Sequence, residues 1–338
     1  MSSKRLGKQT VKLQAPPSIV ATASIVGTKE GQGPLRNYFD NIVEDEFWGE
    51  KSWEKAESKF LKETINLAIS NANKSASDIN YIIAGDLLNQ CISSSYGLRE
   101  SEVPFYGVYG ACSTMAESMS LGAMLIDGGF ADYITAGTAS HFCAAEKQFR
   151  YPLELGTQRP LTSQWTVTGS GAAILSSTGT GPYITHITTG KIIDMGIKDS
   201  NNMGAAMAPA AADTIYTHFQ DTGMIPSDYD LIVTGDLGYV GMEITDELLT
   251  KLNCKITNQL SDCGIMIFNR DKQDTHAGGS GCGCSASVFS GYLYKEILSG
   301  KFNKILFVAT GALMSPTSIQ QSESIPSIAH AVTIQKTL

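Results

Sequence analysis

The stretch 103–129, VPFYGVYGACSTMAESMSLGAMLIDGG, sets Cys112 between an apolar, strand-like run and a helix. A helix N-terminus presents N–H groups with no intrahelical partner and the positive end of the peptide dipole. A thiol placed there is expected to have a lowered pKa and to favour anions nearby. Two uses follow, nucleophilic catalysis or the holding of a carboxylate, and a cysteine in an apolar segment can also be an inert core residue.

Outward from Cys112 the pattern repeats. The helical run SWEKAESKFLKETINLAISNANKSASD leads into INYIIAGD, ending at Asp86, and AAMAPAAADTIYTHFQDTGMIPSD leads into YDLIVTGD, ending at Asp236, 150 residues later. A second pair follows in the same order, GACSTMAESMSLGAMLIDGGFADYITAG at 110–137 and GCGCSASVFSGYLYKEILSGKFNKILFVATG at 281–311. Apolar strands alternating with helices predict parallel sheet covered on both faces, here in two duplicated α/β halves. Between them WTVTGSGAAILSSTGTGPYITHITTG reads as a hairpin, and the division is drawn there, giving halves 1–185 and 186–338. The alternating SIAHAVTI near the C-terminus is expected to close a sheet as an edge strand.

Composition bounds the function. A chain of 338 residues with 42% hydrophobic and 17% charged residues has ample core for two such halves. Its net charge of -8 argues against nucleic acid and against adhesion to anionic lipid. No apolar run reaches membrane-spanning length, and the basic opening lacks the apolar region of a signal peptide, so a cytoplasmic location is expected. Seven cysteines at irregular spacings read as reduced thiols, and Cys282 with Cys284 lacks partners at zinc spacing, so no metal site is expected.

IVATASIVGT near the start, VPFYGVYGACS around Cys112, TGSGAAIL before the expected hairpin and the VATGAL turn near the end, taken in order, resemble the thiolase-like condensing enzymes, in layout the ketoacyl synthase III type, over residues 18–335. The resemblance implies a duplicated five-layer α/β/α/β/α sandwich, a nucleophilic cysteine at the position of Cys112, and a homodimer pairing through VPFYGVY. It also implies a His-Gln-Ala-Asn turn in the second half, where this chain has Gly235 and Gly238 in place of the histidine and asparagine. Glycine neither moves a proton nor donates a side-chain hydrogen bond, so loss of condensing chemistry is expected, catalytic residues none.

Other polar residues carry open readings. His276 precedes a glycine run and either swings toward Cys112, as in an activated Cys–His pair, or bonds to its loop. His141, after the strand DYITAGTAS, is expected to face the pocket. Asp86 either contacts a ligand or caps its turn. Gly279 and Gly281, in the loop 278–283, can bring backbone N–H groups close to an anion.

YGACSTMAESM, AGGSGCGCSA and especially GALMSPTSIQQSESIPSIAHAV carry a closer resemblance, to the stage V sporulation protein AD family of spore-forming bacteria. That resemblance implies a protein without enzymatic activity that binds dipicolinic acid (pyridine-2,6-dicarboxylate) and takes part in its movement into the developing spore. The implied partners are membrane proteins of the same operon, at the spore inner membrane. The expected ligand site is bounded by Asp86, Cys112, His141, His276, Gly279 and Gly281. No cofactor is expected, although calcium can enter as the ligand's chelate, with Asp86 as its contact. The alternatives are an acyl-transfer enzyme using Cys112 with His276, and a scaffold whose pocket has collapsed.

Overall fold

The computed structural model describes residues 4–149 and 158–338. Five strands come from the first part of the chain: β1 (Ser18–Val26), β2 (Tyr81–Gly85), β3 (Phe105–Gly107), β4 (Tyr133–Ser140) and β5 (Gly169–Ser176). Five come from the second: β6 (Tyr183–Thr188), β7 (Leu231–Thr234), β8 (Leu260–Asp262), β9 (Lys304–Ala312) and β10 (Ser327–Gln335). Their order in space is β3-β2-β4-β5-β1 for the first set and β8-β7-β9-β10-β6 for the second. If each set is counted from its own first strand, both read 3-2-4-5-1. In each set the strand second in chain order is parallel to both its neighbours, and the last two pairings are antiparallel. The two sets meet through the pairing of Ser18 with Tyr183.

Helix α1 (Trp53–Asn71) begins at Ser52, whose hydroxyl accepts from the Lys55 N–H, the usual service of a serine N-cap. Its buried side, with Phe60, Leu61, Ile65, Ala68 and Ile69, lies on β1, β4 and β5. Its counterpart α3 (Met203–Thr222) is capped by Asn202, stops at Gly223 in the left-handed region, and covers β9 and β10. Between the strand sets lie α2 (Thr114–Asp127) and α4 (Cys282–Val288). α2 packs on β2 and β4 from the first set and on β9 and β10 from the second, while α4 packs on β1, β4 and β5. The layers are therefore helix, sheet, helices, sheet, helix, a thiolase-like α/β sandwich as the motifs implied.

Such close layering needs small residues. A Cβ on Gly171 of β5 would stand 2.1 Å from the Ala286 carbonyl oxygen, and one on Gly311 of β9 would stand 2.1 Å from the Gly110 carbonyl oxygen. Gly311 thus lets a strand of the second set touch the turn that carries Cys112.

Three local expectations are corrected. The runs 165–176 and 183–190 do not form a hairpin, because β5 pairs with β1 and β4 while β6 pairs with β10. Both runs are β-rich, but each finds its partners in its own set, and β6 itself spans the division drawn at 185/186. β10 is not an edge strand, since it pairs along its length with β9 and over its second half with β6, and its residues are almost continuously buried. VATGAL is the end of β9 rather than a turn. Among the described residues no helix is long and apolar enough to cross a membrane. All seven cysteines are free thiols.

Candidate functional site

Cys112 sits in a single 3-10 turn, Ala111–Ser113, that runs into α2. The turn is tied by Ser113 Oγ donating to the Gly110 carbonyl at 2.6 Å and Thr114 Oγ1 donating to the Ala111 carbonyl at 2.7 Å. Cys112 is 5% exposed and packs with Leu87, Ala145 and Cys282. Its thiol lies against the carboxylate of Asp236, which follows β7 in the other half of the chain.

Asp236 is fully buried and organises the site. Its Oδ1 accepts from Thr310 Oγ1 at 2.8 Å, and its Oδ2 accepts from Ser280 Oγ at 3.0 Å and from the Gly281 N–H at 2.9 Å. Burial raises its pKa, while these donors and the thiol pull it back down. The effect on Cys112 is the reverse of what a helix N-terminus led one to expect: burial first, and then the negative potential of Asp236, push the thiol well above its ordinary value. Desolvation and a touching carboxylate outweigh a helix end whose effect is confined to its first turn.

The turn after β7 is closely packed at both glycines. A Cβ on Gly235 would lie 3.0 Å from Ala309 Cα, and one on Gly238, whose φ is 62°, would lie 2.2 Å from the Ala277 carbonyl oxygen. The turn is pinned by buried Asp262, which accepts from Thr234 Oγ1 at 2.7 Å, the Leu237 N–H at 2.8 Å and the Gly238 N–H at 3.0 Å. Burial lifts that carboxyl to about 7.

The other expected site residues have different occupations. Asp86 takes the capping alternative: Oδ1 accepts from the Leu88 N–H at 2.8 Å, and Oδ2 accepts from the Ser94 N–H at 2.8 Å and Ser94 Oγ at 2.6 Å. His141 is buried, with Nε2 2.9 Å from the Glu46 carbonyl and its ring edge-on to Phe60 at 6.4 Å between centroids. Burial lowers its pKa and keeps the imidazole neutral. Gly281 gives its N–H to Asp236, and Gly283 gives its own to Ser140 Oγ at 3.0 Å, so these donors of the loop are spent inside the fold. Gly279 pairs with Trp165 in a short parallel bridge, and its carbonyl accepts from Gln164 Nε2 at 3.0 Å.

His276 bonds to its surroundings rather than to Cys112. Its Nδ1 lies 2.8 Å from the Pro160 carbonyl and its Nε2 lies 2.8 Å from Asp274 Oδ1. Asp274 Oδ2 is 2.7 Å from Arg159 Nη2, and its carbonyl accepts from Lys29 Nζ at 3.3 Å. His276, Pro160, Asp274 and Arg159 line a surface cleft of about 640 Å³. Of the six expected residues, Cys112 and Gly281 therefore meet at Asp236, which accepts from the Gly281 N–H and faces the thiol. Asp236 could have been found, since it is the repeat counterpart of Asp86. Lys29 and Arg159 belong to no motif, and only the fold brings them to His276.

Comparison with known proteins agrees with this architecture. The structure is similar to human mitochondrial 3-ketoacyl-CoA thiolase in complex with CoA, with TM-score 0.60, 12% identity, and coverage of 97% of this chain and 99% of that one. It is likewise similar to 3-oxoacyl-[acyl-carrier-protein] synthase III from Aquifex aeolicus VF5, with TM-score 0.55, 14% identity, and coverage of 94% and 99%. At these identities the likeness concerns the fold. The chain is 45% identical over 333 residues to stage V sporulation protein AD of Bacillus subtilis (strain 168), covering 98% of both chains. Residues 7–335 match the family described as Stage V sporulation protein AD (SpoVAD), and with that full-length match the chain belongs to the stage V sporulation protein AD family.

Proposed function

We propose that this sporulation protein is a non-catalytic subunit that binds dipicolinic acid and hands it to membrane proteins of the spore inner membrane. The observation that carries the non-catalytic part is the buried carboxylate of Asp236 set against Cys112. A nucleophilic cysteine needs a base or a positive environment to populate its thiolate, and this thiol faces a buried carboxylate instead. Gly235 and Gly238 stand where the resemblance places acid–base and amide groups, and a side chain at Gly238 would run into the Ala277 carbonyl.

The ligand is the one that the motif resemblance implies, and the chemistry of the chain constrains how it binds. Asp86 already has three donors on its carboxylate, which removes it as the calcium contact of a chelate. A free dianion does not suit the Cys112 chamber, with Asp236 and Asp262 close by. A homodimer is part of the reading, because β3 pairs only with β2 and leaves a free edge where Tyr106 is 54% exposed.

The test is a pair of measurements on one preparation. Calorimetry should show saturable binding of pyridine-2,6-dicarboxylate, and incubation with radiolabelled acetyl-CoA should leave no label on Cys112. A thioester on Cys112 would return the protein to the acyl-transfer class.

A further inference from the structure

We infer that Asp274 is an internal stand-in for a ligand carboxylate, and that the cleft beside it receives one carboxylate of an aromatic dicarboxylate between Arg159 and His276. The inference rests on the binding reading above and names the place where that ligand is held.

The two partners of the Arg159–Asp274 pair are unequal. Asp274 is 71% exposed and reaches the cluster from the surface, whereas the Arg159 side chain is 12% exposed and fixed in place. Its guanidinium lies 4.9 Å from the centre of the Trp165 ring, which is stacked on Phe142 at 3.8 Å. Lys29 Nζ stands 3.3 Å from the centre of the same ring. Arg159 Nη2 serves Asp274, while Nη1 is buried and has no hydrogen-bond partner. A guanidinium offers five donors in a plane that matches a carboxylate, so an unused buried nitrogen beside an exposed competitor describes a carboxylate site only partly filled.

Charge points the same way. The chain carries a net charge of -8, and the buried acids Asp236 and Asp262 gather around the turn beside Cys112. Arg159 and His276 instead converge on the carboxylate of Asp274, with Lys29 on its carbonyl, at the edge of open space. The cleft of about 640 Å³ exceeds what one planar bicyclic or monocyclic acid occupies. One of its walls is Leu161, 81% exposed, an apolar surface for the face of a ring. Rotation of the Asp274 side chain into solvent frees the contacts of its Oδ2 with Arg159 and of its Oδ1 with His276, and an incoming carboxylate replaces them while Arg159 Nη2 keeps its bond to the Asp274 carbonyl.

Calorimetric titration of the full chain with pyridine-2,6-dicarboxylate tests this. Asp274→Asn removes the competitor and should tighten binding several-fold, Arg159→Gln should weaken it at least about tenfold, and benzene-1,3-dicarboxylate should compete while benzoate competes poorly. Ligand should also change the tryptophan fluorescence of the wild type, and Trp165→Phe should lose that change, a readout that stands even where Arg159→Gln folds poorly. Wild-type binding left unaltered by Arg159→Gln and Asp274→Asn would overturn the site and leave the binding function standing. Absence of any wild-type binding would overturn both.

Discussion

The Cys112 thiol lies against the Asp236 carboxylate across the two halves of the chain, the thiol arriving at the start of α2 and the carboxylate just beyond β7. The pair is buried, and the charge of the carboxylate opposes ionisation of the thiol. A helix N-terminus that elsewhere activates a cysteine here holds a protonated one.

Cys112 should therefore react slowly with iodoacetamide in the native protein at pH 8. Asp236→Asn removes the negative potential and should speed alkylation, read by mass spectrometry of the peptide that contains residue 112. The same substitution disturbs acceptors used by Thr310, Ser280 and Gly281, at a cost of about 1–3 kcal/mol in denaturant unfolding. Equal alkylation rates in wild type and variant would show that the carboxylate does not control the thiol.

Asp86→Ala should act on stability and spare binding. It strips the acceptor from the Leu88 N–H, the Ser94 N–H and the Ser94 hydroxyl, all inside the fold, which corresponds to about 2–4 kcal/mol. Urea unfolding checks the loss, and calorimetry at a temperature where the variant is folded checks that dicarboxylate affinity is retained. Lost affinity in a folded variant would restore Asp86 to the ligand site.

Buried histidines should pull stability down on the acid side. Burial lowers His218 to about 3 and His186 and His330 to about 4, so the fold holds them neutral while the unfolded chain protonates them below pH 6.5. Their contribution is lost as pH falls from 6.5 toward 4, by about 1.4 kcal/mol per pH unit for each histidine, against the opposite slope of the buried acids. His330→Gln should reduce that slope by one histidine's share in urea midpoints taken between pH 4.5 and 6.5.

The buried acids act in the opposite sense. Burial raises Asp262 to about 7 and Glu30 to about 8, so the fold favours their protonated forms and stability falls as pH climbs from the ordinary carboxyl range through those values. Maximum stability should consequently lie on the acid side of pH 7, and Asp262→Asn should flatten the decline above it. Stability that rises steadily from pH 6 to pH 8 would contradict this.

Gly311→Ala should damage the site without touching a polar group. Its Cβ would press on the Gly110 carbonyl and come within 3.1 Å of the Ser113 N–H, displacing the turn that holds Cys112. Overpacking of this kind costs about 1–3 kcal/mol. Thermal unfolding should show the loss, together with faster alkylation of Cys112 as the turn loosens.

The duplicated α/β architecture was legible in the chain because it rests on local signals. Helix periodicity, apolar strand runs and the Gly-Asp strand ends recur in order, and each is set by residues adjacent in sequence. The same signals placed Cys112 at a helix start. Strand partnership was not legible: SIAHAVTI alternates like an edge strand, yet β10 lies inside the sheet, since alternation does not say whether a second neighbour covers the other side. The state of the thiol was decided by tertiary structure as well. Whether a helix-end cysteine is activated depends on which charge is buried against it, and Asp236 comes from a segment more than a hundred residues away. Lys29, Arg159 and His276 meet for the same reason, three distant loops gathered by the packing of two sheets, where electrostatics acts through space and sequence distance counts for nothing.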